Sequence, residues 1–263
     1  MSSKPVNIIQ ITDCHLGESS GETILSMNPD NSLADVLSLI KQNHDDIDLV
    51  LATGDLSNDG SESSYARLNQ TLLKQLDAPF VWLPGNHDKP EHMAKVATAP
   101  NQRVIVLEHW VILMLDSHVD GQIYGHLSAD ELSFMQDTLR EHSDKHAMIC
   151  LHHQPVPIGS QWMDNYIVRN AQDFWQLLEG YSQLKLVVWG HVHQEFADSY
   201  KDIGLLAAPS TCIQFTPGQK DFAVEDAMPG YRWFRLHSDG RYETGVERTP
   251  EKDYGIDFQS SGY

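Results

Sequence analysis

The sequence predicts an α/β fold with an antiparallel C-terminal part, on two observations. Short apolar runs rich in Val, Ile, Leu and Trp recur along the chain and read as strands buried on both faces. Amphipathic segments lie between them, which is the alternation of an α/β chain. The 263 residues contain no internal repeat, low-complexity tract or composition shift that would mark a linker, so a single domain over 1–263 is expected.

The elements follow in order. Residues 6–12 form the first strand. A helix is expected over 33–42, capped by Asn31, because Leu33, Val36, Leu37 and Ile40 share one face. Strands follow at 48–54 and 79–84, and then at 103–107 and 110–116, the last two joined by a tight turn near Glu108 and His109. Ser128 with Glu131 makes a capping box ahead of Leu132, Met135 and Leu139. A strand at 146–151 precedes a helix over 171–179, capped by Asn170, with Phe174, Leu177 and Leu178 inward. After the strand at 184–190, strands are read at 196–200, 204–208, 231–236 and 242–247. A Ser238-Asp239-Gly240 turn makes the last two a hairpin.

Charge and cysteine usage narrow the function classes. The chain carries 37 Asp+Glu against 18 Lys+Arg, a formal net charge of −19. Nucleic-acid backbones and anionic membranes are disfavoured as partners, because affinity for them comes from Lys and Arg. Cys14, Cys150 and Cys212 are far apart, and no CxxC pair occurs, so a disulfide framework or a thiolate zinc site is not expected. The first residues hold no apolar segment of signal-peptide length, and no apolar run approaches a membrane span. A cytoplasmic protein in a reducing compartment is the expectation. The 14 histidines of an acidic chain raise a metal hypothesis that composition alone does not decide.

The ends of the apolar runs decide more. The first is followed by Asp13-Cys14-His15, the second by Gly54-Asp55, and the third by Gly85-Asn86-His87-Asp88. The run at 146–151 leads into His152-His153, and the run at 184–189 into Gly190-His191-Val192-His193. Asp, Asn and His are the oxygen and nitrogen ligands of divalent metals. Ligands of open α/β sheets gather outside the carboxyl ends of strands, so one rule brings all five clusters to one edge. Asp-x-His and His-x-His put both side chains on one side of an extended segment. Glycines at 54, 85 and 190 let the chain turn sharply beside an ion. Asp55, alone at its strand end, is the candidate to bridge two cations. Taken singly, each cluster reads as a turn, a cap or an ordinary strand end; the ordered set of five does not.

That ordered set resembles the calcineurin-like metallophosphoesterase superfamily. The flanks Ile9-Gln10-Ile11-Thr12-Asp13, Ala52-Thr53-Gly54-Asp55-Leu56 and Val81-Trp82-Leu83-Pro84-Gly85-Asn86-His87-Asp88 sharpen the likeness. So do Leu115-Asp116-Ser117 and the stretch from Pro209 to Phe215. Together they are similar to the bacterial class III 3′,5′-cyclic-AMP phosphodiesterases, from about residue 6 to the C-terminus.

The resemblance implies a four-layer α/β/β/α sandwich with two divalent metals at the sheet edge. Asp13, His15, Asp55 and His193 would hold one metal; Asp55, Asn86, His152 and His191 would hold the other. Adjacent residues of an extended chain point oppositely, so one of His152 and His153 is expected at the metals, and the family pattern selects His152. Iron or manganese is implied, with zinc and cobalt compatible with the same ligands. A metal-bridging hydroxide would attack phosphorus in line, with Asp55 bridging and His87 protonating the leaving 3′-oxygen. Asp88 would orient the His87 ring. Substrate would meet His15, Asp55, Asn86, His87, His152 and His193. The partner is a small cyclic nucleotide, with no nucleic acid and no membrane; the chain does not decide between monomer and homodimer. The loop bearing Trp162, Asp164, Asn165 and Arg169 either contacts base or ribose or is simply anchored by Trp162. His118 and His126 sit on a loop near the pocket; the remaining histidines read as surface or packing residues. Alternatives are a glycerophosphodiester or 2′,3′-cyclic nucleotide diesterase, a phosphomonoesterase of the same fold, and a non-catalytic interaction module.

Overall fold

The computed structural model describes residues 4–260 and 262. Its elements in chain order are β1 (Val6–Ile11), α1 (Pro29–Asn43), β2 (Leu49–Thr53), α2 (Glu62–Gln75), β3 (Phe80–Leu83), α3 (Pro90–Val96), β4 (Val104–Val106), β5 (Trp110–Met114) and α4 (Ala129–Glu141). The chain continues through β6 (His146–Cys150), α5 (Ala171–Leu178), β7 (Leu184–Trp189), β8 (Phe196–Tyr200) and β9 (Ile203–Ala207). It closes with β10 (Gln214–Phe215), β11 (Val224–Glu225), β12 (Gly230–Leu236) and β13 (Tyr242–Arg248).

Two sheets carry the fold, in the orders β13-β12-β1-β2-β3 and β4-β5-β6-β7-β9-β8. Their inner faces meet in an apolar layer that includes Ile8, Leu51, Val81, Ile112, Met148, Val188 and Phe234. The outer face of the first sheet packs on α1 and α2 through Leu33, Val36, Leu37, Ile40, Tyr65, Leu68 and Leu72. The outer face of the second packs on α4 and α5 through Met135, Leu139, Phe174 and Leu178. The result is the expected α/β/β/α stack. The central strands of each sheet are covered on both faces, which is why they read as unbroken apolar runs rather than alternating ones. Burying one such Leu, Ile or Val side chain is worth about 1.5–3 kcal/mol.

The strands that end at the candidate ligands are parallel within each sheet: β1, β2 and β3 in one, β6 and β7 in the other. Their carboxyl ends therefore share one edge of the sandwich. The C-terminal part is mostly antiparallel, through β8–β9, β10–β11, β1–β12 and β12–β13. Strand β9 departs from that reading by running parallel to β7. Buried Arg232 ties the two sheets on this side, donating to the Ala207 and Phe196 carbonyls at 3.0 and 3.1 Å.

Helix starts differ from the expectation where two residue types compete. Helix α1 begins at Pro29, and its cap is Asn28, whose side chain accepts the Asn31 N–H at 2.9 Å. Proline fits the first helical position because its missing N–H is not needed there. Ser128 caps α4, but Glu131 does not return the bond; its carboxylate takes the Asp116 N–H and Arg103 instead. Asn170 precedes α5 without a side-chain cap, since its amide is engaged with both the N–H and the carbonyl of Leu127. Helices α2 and α3 have no counterpart in the sequence reading.

Candidate metal centre

Five loops converge beyond the strand ends, and backbone bonds lace them together. Asp13 N–H reaches the Gly54 carbonyl and His15 N–H the Asp55 carbonyl, both at 2.9 Å, which continues the β1–β2 pairing past the strands. Gly190 N–H bonds the His152 carbonyl, and the Asp13 carboxylate accepts the His191 N–H at 3.1 Å across the two sheets. The Ser210 hydroxyl donates to the Asp13 carbonyl at 2.7 Å.

Asp13, His15, Asp55, His191 and His193 have φ of 53°, 48°, 48°, 64° and 47°. A left-handed non-glycine backbone costs about 1–3 kcal/mol where it persists, and such residues cluster at functional sites. This corrects the expectation of extended Asp-x-His and His-x-His segments. The shared side arises from left-handed residues flanking an inward one. Cys14 and Val192, the middle residues, drop into the cores beneath the helices. The glycines serve two ends. Gly54 has φ +94°, a true turn; at Gly85 and Gly190 a Cβ would fall 2.2 Å from Asp55 Oδ1 and 2.0 Å from Thr12 Oγ1.

The ligand atoms of Asp13, His15 and His193 lie within 4.8 Å of one another, as do those of Asp13, Asp55 and His152. His15 Nε2 and His193 Nε2 are 3.0 Å apart. His152 Nε2 stands 3.3 Å from both Asp55 Oδ2 and Asn86 Oδ1. His191 joins His152 at a ring-centroid separation of 5.0 Å, and its Nε2 is buried without a hydrogen-bond partner. The structure thus brings Asp13, His15, Asp55, Asn86, His152, His191 and His193 into one cluster.

Hydrogen bonds set which ring nitrogen faces the cluster. His152 Nδ1 bonds the Thr53 carbonyl at 2.8 Å and His193 Nδ1 the Ile213 carbonyl at 2.9 Å, so each Nε2 faces the cluster. His153 does not point away from its neighbour: its ring centroid is 4.9 Å from that of His152, and it too comes within ligand distance of His191. Its two nitrogens are spent elsewhere, on the Ser117 hydroxyl at 2.8 Å and the Ile123 carbonyl at 3.1 Å.

The electrostatics suit cations. Burial pushes the His15 and His191 imidazoles well below their usual range, which keeps them neutral. Burial would raise the Asp55 carboxyl, but His152, His87 and His15 outweigh it and hold it well below the usual range. At His152 burial acts downward, yet the Asp55 carboxylate raises the imidazole to about 9. Two buried carboxylates, the neutral imidazoles of His15 and His191, the latter with an unpartnered Nε2, and a His152 whose proton a cation would displace make a donor set for divalent metals without thiolate. The residues fit the group.

His87 lies beside the cluster, with its ring T-shaped to His15 at 4.9 Å and its N–H donating to Asp55 Oδ1 at 2.8 Å. Its Nδ1 bonds the Asn58 carbonyl at 3.0 Å. The orienting group is therefore Asn58, not Asp88. Asp88 is buried facing the other way, where it accepts N–H bonds from Gly85, Leu56 and Ser57.

Residues 6–195 match the family model of the calcineurin-like phosphoesterases. The chain belongs to that family. Over 98% of its length, this phosphoesterase is 40% identical to a Pseudomonas aeruginosa protein named 3′,5′-cyclic adenosine monophosphate phosphodiesterase CpdA, covering 95% of that protein. An Escherichia coli K12 protein of the same name is 37% identical over 98% of this chain and 95% of its own. A dimetal phosphatase from Danio rerio shares the fold, with a TM-score of 0.65 at 13% identity, covering 94% of this chain and 100% of that one. The phosphoesterase is a metal-dependent hydrolase, and the cluster is its candidate site for divalent metal ions. Among the described residues, no helix is long and apolar enough to cross a membrane.

A cavity of about 380 Å³ opens over Asp55, Asn86, His87, His191 and His193. Trp162 lines it, whereas Asp164, Asn165, Arg169, His118 and His126 do not. Asp164 instead accepts the Ile158 and Gly159 N–H groups, and Arg169 lies over the Tyr124 ring. Tyr166, Phe215 and Phe222 also line the cavity, and sequence reasoning did not find them as a set. Only their aromatic character was visible; nothing in their spacing joins them.

Proposed function

We propose that this phosphoesterase is a cytoplasmic enzyme, one domain over 1–263, that hydrolyses 3′,5′-cyclic AMP to 5′-AMP and so lowers cellular cyclic AMP. Iron and/or manganese ions would be held by Asp13, His15, Asp55 and His193 on one side, and by Asp55, Asn86, His152 and His191 on the other. When bound, the ions supply Lewis acidity and a water nucleophile near neutral pH.

The chain's own residues do the rest. Asp55 keeps a charged carboxylate between the two ligand sets. Asn86 and the imidazoles surround the position of the phosphate. His87, with Nδ1 tied to Asn58, would carry a proton on Nε2. Protonated there, it delivers that proton to the 3′-oxygen as the P–O3′ bond breaks.

The observation that carries the reading is the end-to-end likeness to enzymes named for this reaction. The cavity supports a diester. None of its described lining residues is Lys or Arg, so apart from a protonated His87 no side-chain cation adds to the metals. A diester brings one negative charge, whereas a phosphomonoester brings about two at pH 7. The metals also explain how a chain of net charge −19 takes an anion, because they invert the field locally.

Steady-state hydrolysis of 3′,5′-cyclic AMP, 2′,3′-cyclic AMP, a glycerophosphodiester and a phosphomonoester tests this, with enzyme loaded separately with Mn²⁺ and Fe²⁺. The highest kcat/KM is expected for 3′,5′-cyclic AMP. A clear preference for another substrate overturns the substrate assignment.

A further inference from the structure

We propose that the aromatic side of the cavity, formed by Trp162, Tyr166, Phe215 and Phe222, is a nucleobase subsite that grips a purine by stacking. The inference rests on the phosphodiesterase reading and extends it to the part of the substrate that the metals do not touch.

The cavity has two unlike ends. Asp55, Asn86, His87, His191 and His193 make one end polar and metal-binding, while the four aromatic residues make the other apolar. The ends meet at Phe215, whose N–H bonds the His193 carbonyl at 3.1 Å. Phe215 stacks flat on the His193 imidazole, with centroids 4.1 Å apart and planes 10° from parallel. The aromatic wall therefore begins one ring away from a candidate ligand. A substrate whose phosphate sits at the ligands has its next group against rings.

The wall is preassembled. Trp162 meets Phe215 at 5.0 Å and Phe222 at 5.3 Å, and Phe215 meets Phe222 at 5.4 Å, all near edge-to-face. Three rings in mutual T-shaped contact hold one another in place, and each pair adds about 0.5–1.5 kcal/mol beyond its buried area. Two bonds fix the loops that carry them: Gln161 N–H to the Gln219 carbonyl, and Gly218 N–H to the Ser160 hydroxyl, both 2.9 Å. Residues 121–123 also line the cavity and are pinned where the His153 ring bonds the Ile123 carbonyl.

The chemistry of that wall selects its ligand. It carries no charged side chain, and its polar groups are the Tyr166 hydroxyl and the Trp162 indole N–H, so a polar alcohol such as glycerol would recover only part of the hydration it loses there. A flat heterocycle gains, since stacking on an aromatic side chain is worth about 1–3 kcal/mol per base. The larger π surface of a purine gains more than that of a pyrimidine. Cyclic AMP should therefore be hydrolysed with a higher kcat/KM than cyclic CMP. Both should exceed a base-free analogue in which a methoxy group replaces the base.

The test compares cyclic AMP with that base-free cyclic phosphate in the wild type, Trp162→Ala and Phe222→Leu, with Trp162→Phe as the conservative variant. The ratio of the two kcat/KM values is expected to fall by roughly 5- to 100-fold in Trp162→Ala, mainly through KM, and to be largely restored in Trp162→Phe. An unchanged ratio, or a wild type that does not prefer cyclic AMP to the base-free compound, overturns the subsite. A second measurement needs neither metal nor turnover. Saturation-transfer NMR of adenosine with metal-free protein should saturate H2 and H8 more than the ribose protons, and Trp162→Ala should lose that pattern. If the wild type hydrolyses neither compound, the phosphodiesterase reading fails on its own account, while the adenosine measurement still decides the subsite. Ribose protons saturated as strongly as H2 and H8 would overturn it.

Discussion

The Tyr65 hydroxyl donates to Asp88 Oδ1 over 3.0 Å and accepts the Lys89 N–H over 2.8 Å. Through Asp88, which also takes N–H bonds from Gly85, Leu56 and Ser57, this helix α2 residue clamps the loop bearing Asp55 to the loop bearing Asn86 and His87. Tyr65 is fully buried, so its loss is not made good by water. Tyr65→Phe is expected to destabilise the protein by about 1–3 kcal/mol. Thermal denaturation should show a Tm lower by several degrees. Asp88→Asn should do more, because its amide NH₂ would face backbone donors. An unaltered Tm in both variants would remove the clamp from the account.

His87 can play two parts, and geometry alone permits both. Its ring nitrogen lies within 4.8 Å of the ligand atoms of His15 and Asp55, so the second part is that of a ligand. The bond from Nδ1 to Asn58 favours proton transfer, because it fixes the ring through the nitrogen that does not exchange the proton. His87→Ala should lower kcat by roughly 10²- to 10⁴-fold while bound metal stays nearly constant. Metal content by mass spectrometry, measured on the same samples, decides. Loss of metal in proportion to activity would make His87 a ligand.

How far the sequence reaches depends on what kind of signal a feature leaves. The expected strands were placed to within a residue or two, because strands covered on both faces are solidly apolar, whereas the two-residue strands β10 and β11 left no such run. Which strands share a sheet was not, since periodicity carries no information about partners. Helix α2 escaped because its buried stripe is only Ser64, Tyr65, Leu68 and Leu72 in an otherwise polar stretch. Asn28 and Asn31 both suit a cap, and Pro29 is the residue that separates them. At the site, the identity of the clustered residues was legible because each ends a strand. Their left-handed backbone was not, since φ above zero in Asp or His leaves no mark on spacing. The aromatic wall is assembled from residues 162, 166, 215 and 222, and only the folded chain brings those together.

Asp116 gives a pH-dependent prediction outside the metal cluster. It lines a second cavity with Arg103 and Glu131, and burial raises its carboxyl above the ordinary 3.8, with the His118 N–H and Arg103 offsetting this in part. A raised carboxyl means the folded protein resists ionisation. Below pH 3.8 both folded and unfolded chains hold the proton and no cost arises. As pH rises past that value the unfolded chain ionises first, and stability is lost until the folded group ionises too. Asp116→Asn keeps an oxygen for the His118 N–H and removes the buried charge. Its Tm should exceed that of the wild type at pH 7, with the gap closing toward pH 4. A gap that does not vary with pH would assign the effect to packing instead.

The two glycines beside the carboxylates make the sharpest link between backbone and metal. A Cβ at Gly85 would lie 2.2 Å from Asp55 Oδ1 and 2.4 Å from Asp55 N; one at Gly190 would lie 2.9 Å from Asp13 Oδ2 and from the Thr53 carbonyl. Neither clash can be relieved by a flexible side-chain tip, since each involves fixed backbone and a carboxylate held at the cluster. Alanine at either position must therefore shift Asp55 or Asp13, the two charges on which a cation depends. Displacing such a ligand should weaken metal affinity by at least the roughly 10–100-fold seen when supporting groups are lost. Gly21→Ala is the control, because nothing lies within 4 Å of its Cβ position. Titration of Mn²⁺ into the three variants should separate Gly85→Ala and Gly190→Ala from the control. If all three bind alike, the strand ends tolerate movement that the packing of their side chains forbids, and the carboxylates are not held where a metal would need them.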